Sequence, residues 1–161
     1  MKTLSVCFVC LGNICRSPIA EGVMLEHVRR AGLAERIVVD SAGTGDWHVG
    51  DAPDARAIAA AARRGYDLTE LAARQVTAGD FKRFDLILAM DHKNLADLQR
   101  SCPPADAHKL ALLMQFASRH QVRVVDDPYF GGVEGFERVM DHCEDACAGV
   151  LAELQARLAE A

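Results

Sequence analysis

Little in this chain would place it outside an aqueous compartment. No stretch approaches the roughly 18 consecutive apolar residues of a membrane span, and the N-terminal segment lacks the long apolar region and cleavage signal of a secretory peptide. Membrane insertion is therefore not expected, and a cytoplasmic location is. There is no long basic run and the formal charge is −5, which argues against nonspecific nucleic-acid binding while leaving the potential of any local site open. Six cysteines in 161 residues do not make a disulfide scaffold. No internal repeat, low-complexity tract or linker breaks the sequence, and the loops around Gly43 to Pro53 and Asp126 to Gly132 are too short to separate domains. One domain over 1–161 follows, with half its residues apolar and so enough material for a sizeable core. A monomer is the favoured state.

Apolar runs alternate with helical periodicity. Strands are predicted at Leu4 to Val9, Ile37 to Val39, Asp85 to Ala89 and Lys109 to Leu113, and helices near 18–31, 53–64, 91–100 and 133–158. This is an α/β pattern with parallel strands. In such sheets ligands collect beyond the carboxyl ends of the strands, near a topological switch point.

The first strand runs into Cys10-Leu11-Gly12-Asn13-Ile14-Cys15-Arg16-Ser17 and then Pro18. A strand, a tight loop and a helix N-terminus in that order form a cradle for a tetrahedral oxyanion, because loop N–H groups and the positive end of the helix dipole converge. Cys10 would lie beneath a bound phosphate. Cysteines at helix N-termini beside Arg are held largely as thiolates at neutral pH, so Cys10 is expected to be the nucleophile. The planar fork of Arg16 can bond two equatorial phosphoryl oxygens at once. Ser17 can turn its hydroxyl back into the loop, Pro18 suits the first helical position, and Gly12 and Asn13 readily take positive φ.

The run Val9 to Pro18, together with Asp40-Ser41-Ala42-Gly43-Thr44, Ala73-Arg74-Gln75, Met90-Asp91 and Asp127-Pro128-Tyr129, resembles the low-molecular-weight protein tyrosine phosphatase family, particularly its prokaryotic members. The resemblance spans essentially the whole chain. It implies a four-stranded parallel sheet flanked by helices, a flavodoxin-like three-layer sandwich with an N-terminal phosphate-binding loop. It also implies hydrolysis of phosphotyrosine in protein substrates through a phosphocysteine intermediate, with no metal or other cofactor. Leu11, Gly12, Asn13, Ile14, Cys15, Arg16 and Ser17 would bind the phosphate, with Ser41 supporting the loop. Trp47, the only tryptophan, and Tyr129 would be flat walls for an aromatic ring, as would Phe130, although a core role for each aromatic is the alternative.

A departing phenolate leaves more easily when protonated, and the same group can later take a proton from the water that attacks the phosphocysteine. Asp127 is expected in this role because Pro128 restricts it to an extended conformation that aims its carboxylate. Asp126 is the alternative, and only the match to Asp-Pro-Tyr decides between them. For Cys15, on the same loop as Cys10, the resemblance supports a protective disulfide with Cys10 once that residue is oxidised to sulfenic acid; packing is the alternative. Cys7-x-x-Cys10 is discounted as a redox motif because its second cysteine begins the loop. Cys7, Cys143 and Cys147 are expected to be buried structural thiols, and Cys102 a loop residue. His48, His92 and His108 occur singly and are read as structural.

Two positions depart from the family. Phe130 follows Tyr129 where many relatives have a second Tyr, and Leu71 stands where relatives often carry a His that belongs to a network supporting Asn13 and Ser41, which puts that network in doubt. Two other functions share the loop. Thiol-dependent arsenate reduction needs further cysteines to relay a disulfide, and a non-enzymatic phosphate-binding module would be favoured by loss of Cys10 or Asp127, both of which are present.

Overall fold

A computed structural model describes residues 2–160, so Met1 and Ala161, the ends of the expected 1–161 unit, lie outside the described residues. Four strands, β1 (Leu4–Cys10), β2 (Ile37–Gly43), β3 (Leu86–Ala89) and β4 (Leu110–Leu112), pair in parallel in the order β2-β1-β3-β4. Among the described residues five α-helices surround them: α1 (Arg16–Arg30), α2 (Ala55–Ala62), α3 (Ala78–Arg83), α4 (His92–Ser101) and α5 (Val133–Ala159). Two 3-10 turns flank β4, at Pro104–Lys109 and Leu113–Phe116.

Alternation along β1 explains the layers. Leu4, Val6, Phe8 and Cys10 face a core built with α1, α2 and α5, while Cys7 and Val9 face a smaller core that includes Phe81 of α3 and Leu98 of α4. With helices on both faces every β1 side chain except the half-buried Ser5 is covered, which is why the strand reads as a nearly continuous apolar run rather than an alternating one. Each buried side chain of the size of Phe8, Leu88 or Met140 contributes roughly 1.5–3 kcal/mol, and this burial fixes the register of the strand ends that carry the site.

The expected sheet and the four long helices are present. β2 continues past the predicted end at Val39 to Gly43, its polar Asp40 and Ser41 having masked the strand pattern. α1 begins at Arg16 with Cys15 as its N-cap, so Pro18 is the third helical residue, not the first. The position tolerates proline because first-turn N–H groups have no intrahelical acceptor in any case. The sequence reading missed α3, whose six residues are too short to show a period; the Asp80 carboxylate accepts from the Thr77 N–H at 2.8 Å and fixes its start.

The chain leaves β1 toward β2 and later returns to β3 on the other side, so the carboxyl ends of β1 and β3 diverge and open a crevice. The segment that brings Asp127 to that crevice is tied at two points. The Val125 N–H donates to the Met90 carbonyl at the end of β3 (2.8 Å). On α5 the buried Asp145 carboxylate accepts from the N–H groups of Ser118, Arg119 and His120 and pairs with His120 Nδ1.

Candidate active site

Cys10 ends β1 and Arg16 opens α1, so the five residues between them must reverse the chain. Asn13 alone among the described non-glycine residues takes positive φ, at 58°. Gly12 does not, contrary to the expectation from its residue type. Its small size serves packing instead, since a Cβ there would lie 3.1 Å from Cδ2 of His48. Gly43 of β2 presses on the loop from the other side. A Cβ at that position would meet the Leu11 carbonyl oxygen at 2.8 Å and the Asn13 nitrogen at 3.2 Å. Both are backbone atoms, so any side chain at 43 must displace the loop.

The loop carbonyls are engaged from outside. Thr44 N–H donates to the Cys10 carbonyl (2.9 Å), Gly45 N–H to that of Leu11 (2.9 Å) and Asp54 N–H to that of Ile14 (2.8 Å). The Asn13 N–H turns inward and donates to Cys10 Sγ at 3.3 Å. The sulfur is also 2.9 Å from Ser17 Oγ, which confirms that Ser17 points back into the loop. Asn13 Nδ2 donates to Ser17 Oγ (2.7 Å) and to Ser41 Oγ (2.9 Å), while its Oδ1 accepts from the Arg74 N–H (3.0 Å).

Arg16 is buried with its side chain 3 % exposed, so its charge must be compensated. Nη1 donates to Asp91 Oδ2 (2.6 Å) and to the Val125 carbonyl (2.9 Å), and Nη2 lies 3.8 Å from Asp127 Oδ2. Burial works against the guanidinium charge, but the neighbouring Cys10 sulfur and Asp91 carboxylate more than offset it and hold Arg16 above its ordinary range. Asp91 does two things, since its other oxygen caps α4 by accepting from the Asn94 N–H at 2.8 Å.

These groups share one cleft of about 250 Å³, lined by Cys10, Leu11, Gly12, Ile14, Cys15 and Arg16 at its floor and by Trp47, His48, Asp127, Tyr129 and Phe130 at its walls. Asp127 is half-exposed, and its Oδ1 accepts from the Tyr129 N–H (3.1 Å). Asp126 does not line the cleft; it lines a second hollow with Pro128, Arg138 and His142, which Asp127 borders as well. A core role is ruled out for Trp47, Tyr129 and Phe130, all exposed, Phe130 at 96 %. Tyr129 is backed by the Arg56 guanidinium, 5.4 Å from its ring centroid.

The side chains of Asn13 and Ser17 are buried and do not line the cleft; they brace the loop through the hydrogen bonds above. Cys15 is in the floor; burial first, and Asp54 next, push its thiol up to about 12. Cys7, Cys143 and Cys147 are fully buried as expected. His48 borders the cleft with Nδ1 3.2 Å from Asp51 Oδ2, a place for which an isolated His in a loop gives no sequence signal. The doubt raised by Leu71 is answered by the intact Asn13–Ser41 contact. Leu71 packs against the larger core, and Ser41 donates instead to Glu21 (2.6 Å).

Comparison with known proteins agrees with this geometry. Residues 5–160 match the family described as low molecular weight phosphotyrosine protein phosphatase. A low molecular weight protein-tyrosine-phosphatase of Streptomyces coelicolor is 45 % identical over 156 residues, covering 95 % of this chain and 94 % of that one. A low molecular weight phosphotyrosine protein phosphatase of Schizosaccharomyces pombe is 46 % identical over 136 residues, covering 84 % and 86 %. A crystal structure of a protein tyrosine phosphatase from Entamoeba histolytica, with Hepes in its active site, superposes with a TM-score of 0.94 at 40 % identity, covering 97 % of this chain and 99 % of that one.

Proposed function

The chain belongs to the low-molecular-weight phosphotyrosine protein phosphatase family and is a protein-tyrosine phosphatase, and we propose that it hydrolyses phosphotyrosine in proteins through a phosphocysteine on Cys10. The observation that carries this reading is the convergence of Cys10, Arg16 and Asp127 on one cleft with aromatic walls.

In the proposed first step the Cys10 sulfur attacks phosphorus in line, the S–P bond forms, and the P–O bond to the tyrosyl oxygen breaks. Asp127, protonated, gives its proton to the departing phenolate. Arg16 holds two equatorial oxygens from a position fixed by Asp91 and Val125 and follows them through the transition state. In the second step water attacks phosphorus, the Asp127 carboxylate takes its proton, and the S–P bond breaks to release inorganic phosphate and the thiolate. Trp47, Tyr129 and Leu11 flank the ring of the substrate in this assignment. No step requires a metal or cofactor.

Arsenate reduction finds less support. Cys143 and Cys147 are buried within the core and Cys102 caps the far end of α4, so among the described residues no cysteine beyond Cys10 and Cys15 is presented at the cleft to relay a disulfide onward. The test is a purified-enzyme assay of a phosphotyrosyl peptide beside arsenate with a thiol reductant. Release of phosphate from the peptide and no thiol-dependent arsenite is the expected result, and the converse would overturn the assignment.

A redox role for Cys15 belongs to the same proposal. Peroxide should convert Cys10 to the sulfenic acid, and attack by Cys15 sulfur then forms the disulfide with loss of water. A thiol reductant should restore activity, and Cys15→Ser should recover poorly. Intact-mass and peptide analysis showing no Cys10 to Cys15 bridge would leave Cys15 with packing alone. A cytoplasmic setting and a monomeric state complete the proposal. Among the described residues no helix is long and apolar enough to cross a membrane, and sedimentation at the mass of a dimer would count against a monomer.

A further inference from the structure

One buried carboxyl has no part in the chemistry above. Glu21 lies on the inward face of α1 at 8 % exposure, and its Oε1 accepts the Ser41 hydroxyl at 2.6 Å. A chain of hydrogen bonds leads from it through Ser41, Asn13 and Ser17 to the Cys10 sulfur. A backbone N–H can only donate, so the Arg74 N–H obliges Asn13 to present Oδ1 to it. Nδ2 is thereby turned toward two serines, Ser41 and Ser17, and donates to both. Each serine oxygen now accepts from Asn13, and each hydroxyl proton must go elsewhere. That of Ser17 goes to Cys10 Sγ (2.9 Å), and that of Ser41 goes to Glu21.

The two ends of this chain reinforce each other. The opposite arrangement, with Asn13 Oδ1 accepting from both serines, would turn the Ser17 proton away from the sulfur and set a lone pair against the thiolate. Two groups oppose that flip. Arg74 is held by Asp40 and Asp80 through its side chain, which fixes its N–H. Glu21 supplies the acceptor that draws the Ser41 proton outward.

We propose that Glu21 is a positioning residue for the nucleophile: by accepting the Ser41 proton it fixes the Asn13 amide, and through Asn13 keeps the Ser17 proton on Cys10. This rests on the reading of Cys10 as the nucleophile. The charged and titratable groups facing Glu21 are Asp40 from β2, Arg74 from the loop before α3 and, more weakly, Cys7 from β1. Burial pushes the Glu21 carboxyl up to about 7, partly countered by the Ser41 hydrogen bond. Either protonation state leaves a carboxyl oxygen that can accept, so the role is one of acceptance and not of charge.

The variants separate these. Glu21→Met keeps length and apolar packing but removes the acceptor, whereas Glu21→Gln keeps an accepting oxygen without the charge. The readout is the rate of Cys10 alkylation by iodoacetamide against pH, followed by intact mass, with the acidic limb of kcat/KM measured alongside. Losing a hydrogen bond to a charged acceptor should move the alkylation midpoint of Glu21→Met up by about one pH unit, a tenfold loss of thiolate at pH values below the midpoint. Glu21→Gln should follow wild type. Ser41→Ala should shift like Glu21→Met, and the double variant should shift no further than either single one, because both act through one path.

A Glu21→Met midpoint equal to that of wild type, a Glu21→Gln midpoint displaced as far as that of Glu21→Met, or additive shifts in the double variant would each overturn the proposal. Alkylation needs no turnover, so failure of the phosphatase reading is distinguishable. It would show as wild-type Cys10 reacting no faster than an ordinary free thiol, or as turnover by a chain lacking Cys10.

Discussion

Replacing Cys10 by serine is expected to abolish turnover, by at least about 10⁴-fold in kcat, while leaving the fold in place. The side chain is buried at 3 % exposure, and serine is slightly smaller, so the β1 packing and the loop have nothing new to accommodate. What changes is the reacting atom. A serine hydroxyl is not ionised at neutral pH, and the two donors aimed at the sulfur, the Asn13 N–H and Ser17 Oγ, stabilise an anion that serine does not form. Pre-steady-state assays should show no burst of phenol, and phosphate analogues should still bind because Arg16 and the loop amides remain. Turnover within tenfold of wild type, with thermal melting unchanged, would remove Cys10 from the mechanism.

The parts of this site that were legible in the sequence are those where one residue type has one strong reason to be present. A cysteine at the end of an apolar run, an arginine six residues on and a proline in the first turn of a helix can be read because strand, loop and helix signals follow without a gap. The four-stranded order came from the resemblance, since periodicity identifies strands but does not pair them. What stayed hidden are residues whose role comes from distant partners. Asp91 looks like an ordinary N-cap and is one, which conceals its hold on Arg16. Gly43 serves by having no side chain against the backbone of a loop some 30 residues earlier in the chain. Glu21 did leave a trace, as a single charge within the otherwise uncharged run Ile19-Ala-Glu-Gly-Val-Met-Leu25, but a lone acid in a helix is usually a solvated one. Asp127 and Asp126 are adjacent and chemically identical, and only the turn of the loop sends one into the cleft and the other away from it.

That divergence sets up the second large effect. Asp127→Asn should keep the loop, because the amide oxygen can still accept from the Tyr129 N–H that Asp127 Oδ1 now takes, yet it has no acidic proton to give. Positioned general acids contribute about 10²–10⁴-fold, and the contribution grows as the leaving group becomes more basic. With phosphotyrosine the variant should lose that full factor in the first chemical step. With aryl phosphates whose phenols are already acidic the first step should be nearly spared, while hydrolysis of the phosphocysteine, which needs the same carboxylate as a base, should slow. The expected record is therefore a burst of about one equivalent of phenol followed by slow turnover for activated esters, no burst for phosphotyrosine, and a steeper dependence of rate on leaving-group pKa than wild type shows. Asp126→Asn, facing the second hollow, should change neither slope nor burst. If the leaving-group dependence of Asp127→Asn matched wild type while that of Asp126→Asn steepened, the acid would be Asp126, and the loop would have to turn over when substrate binds.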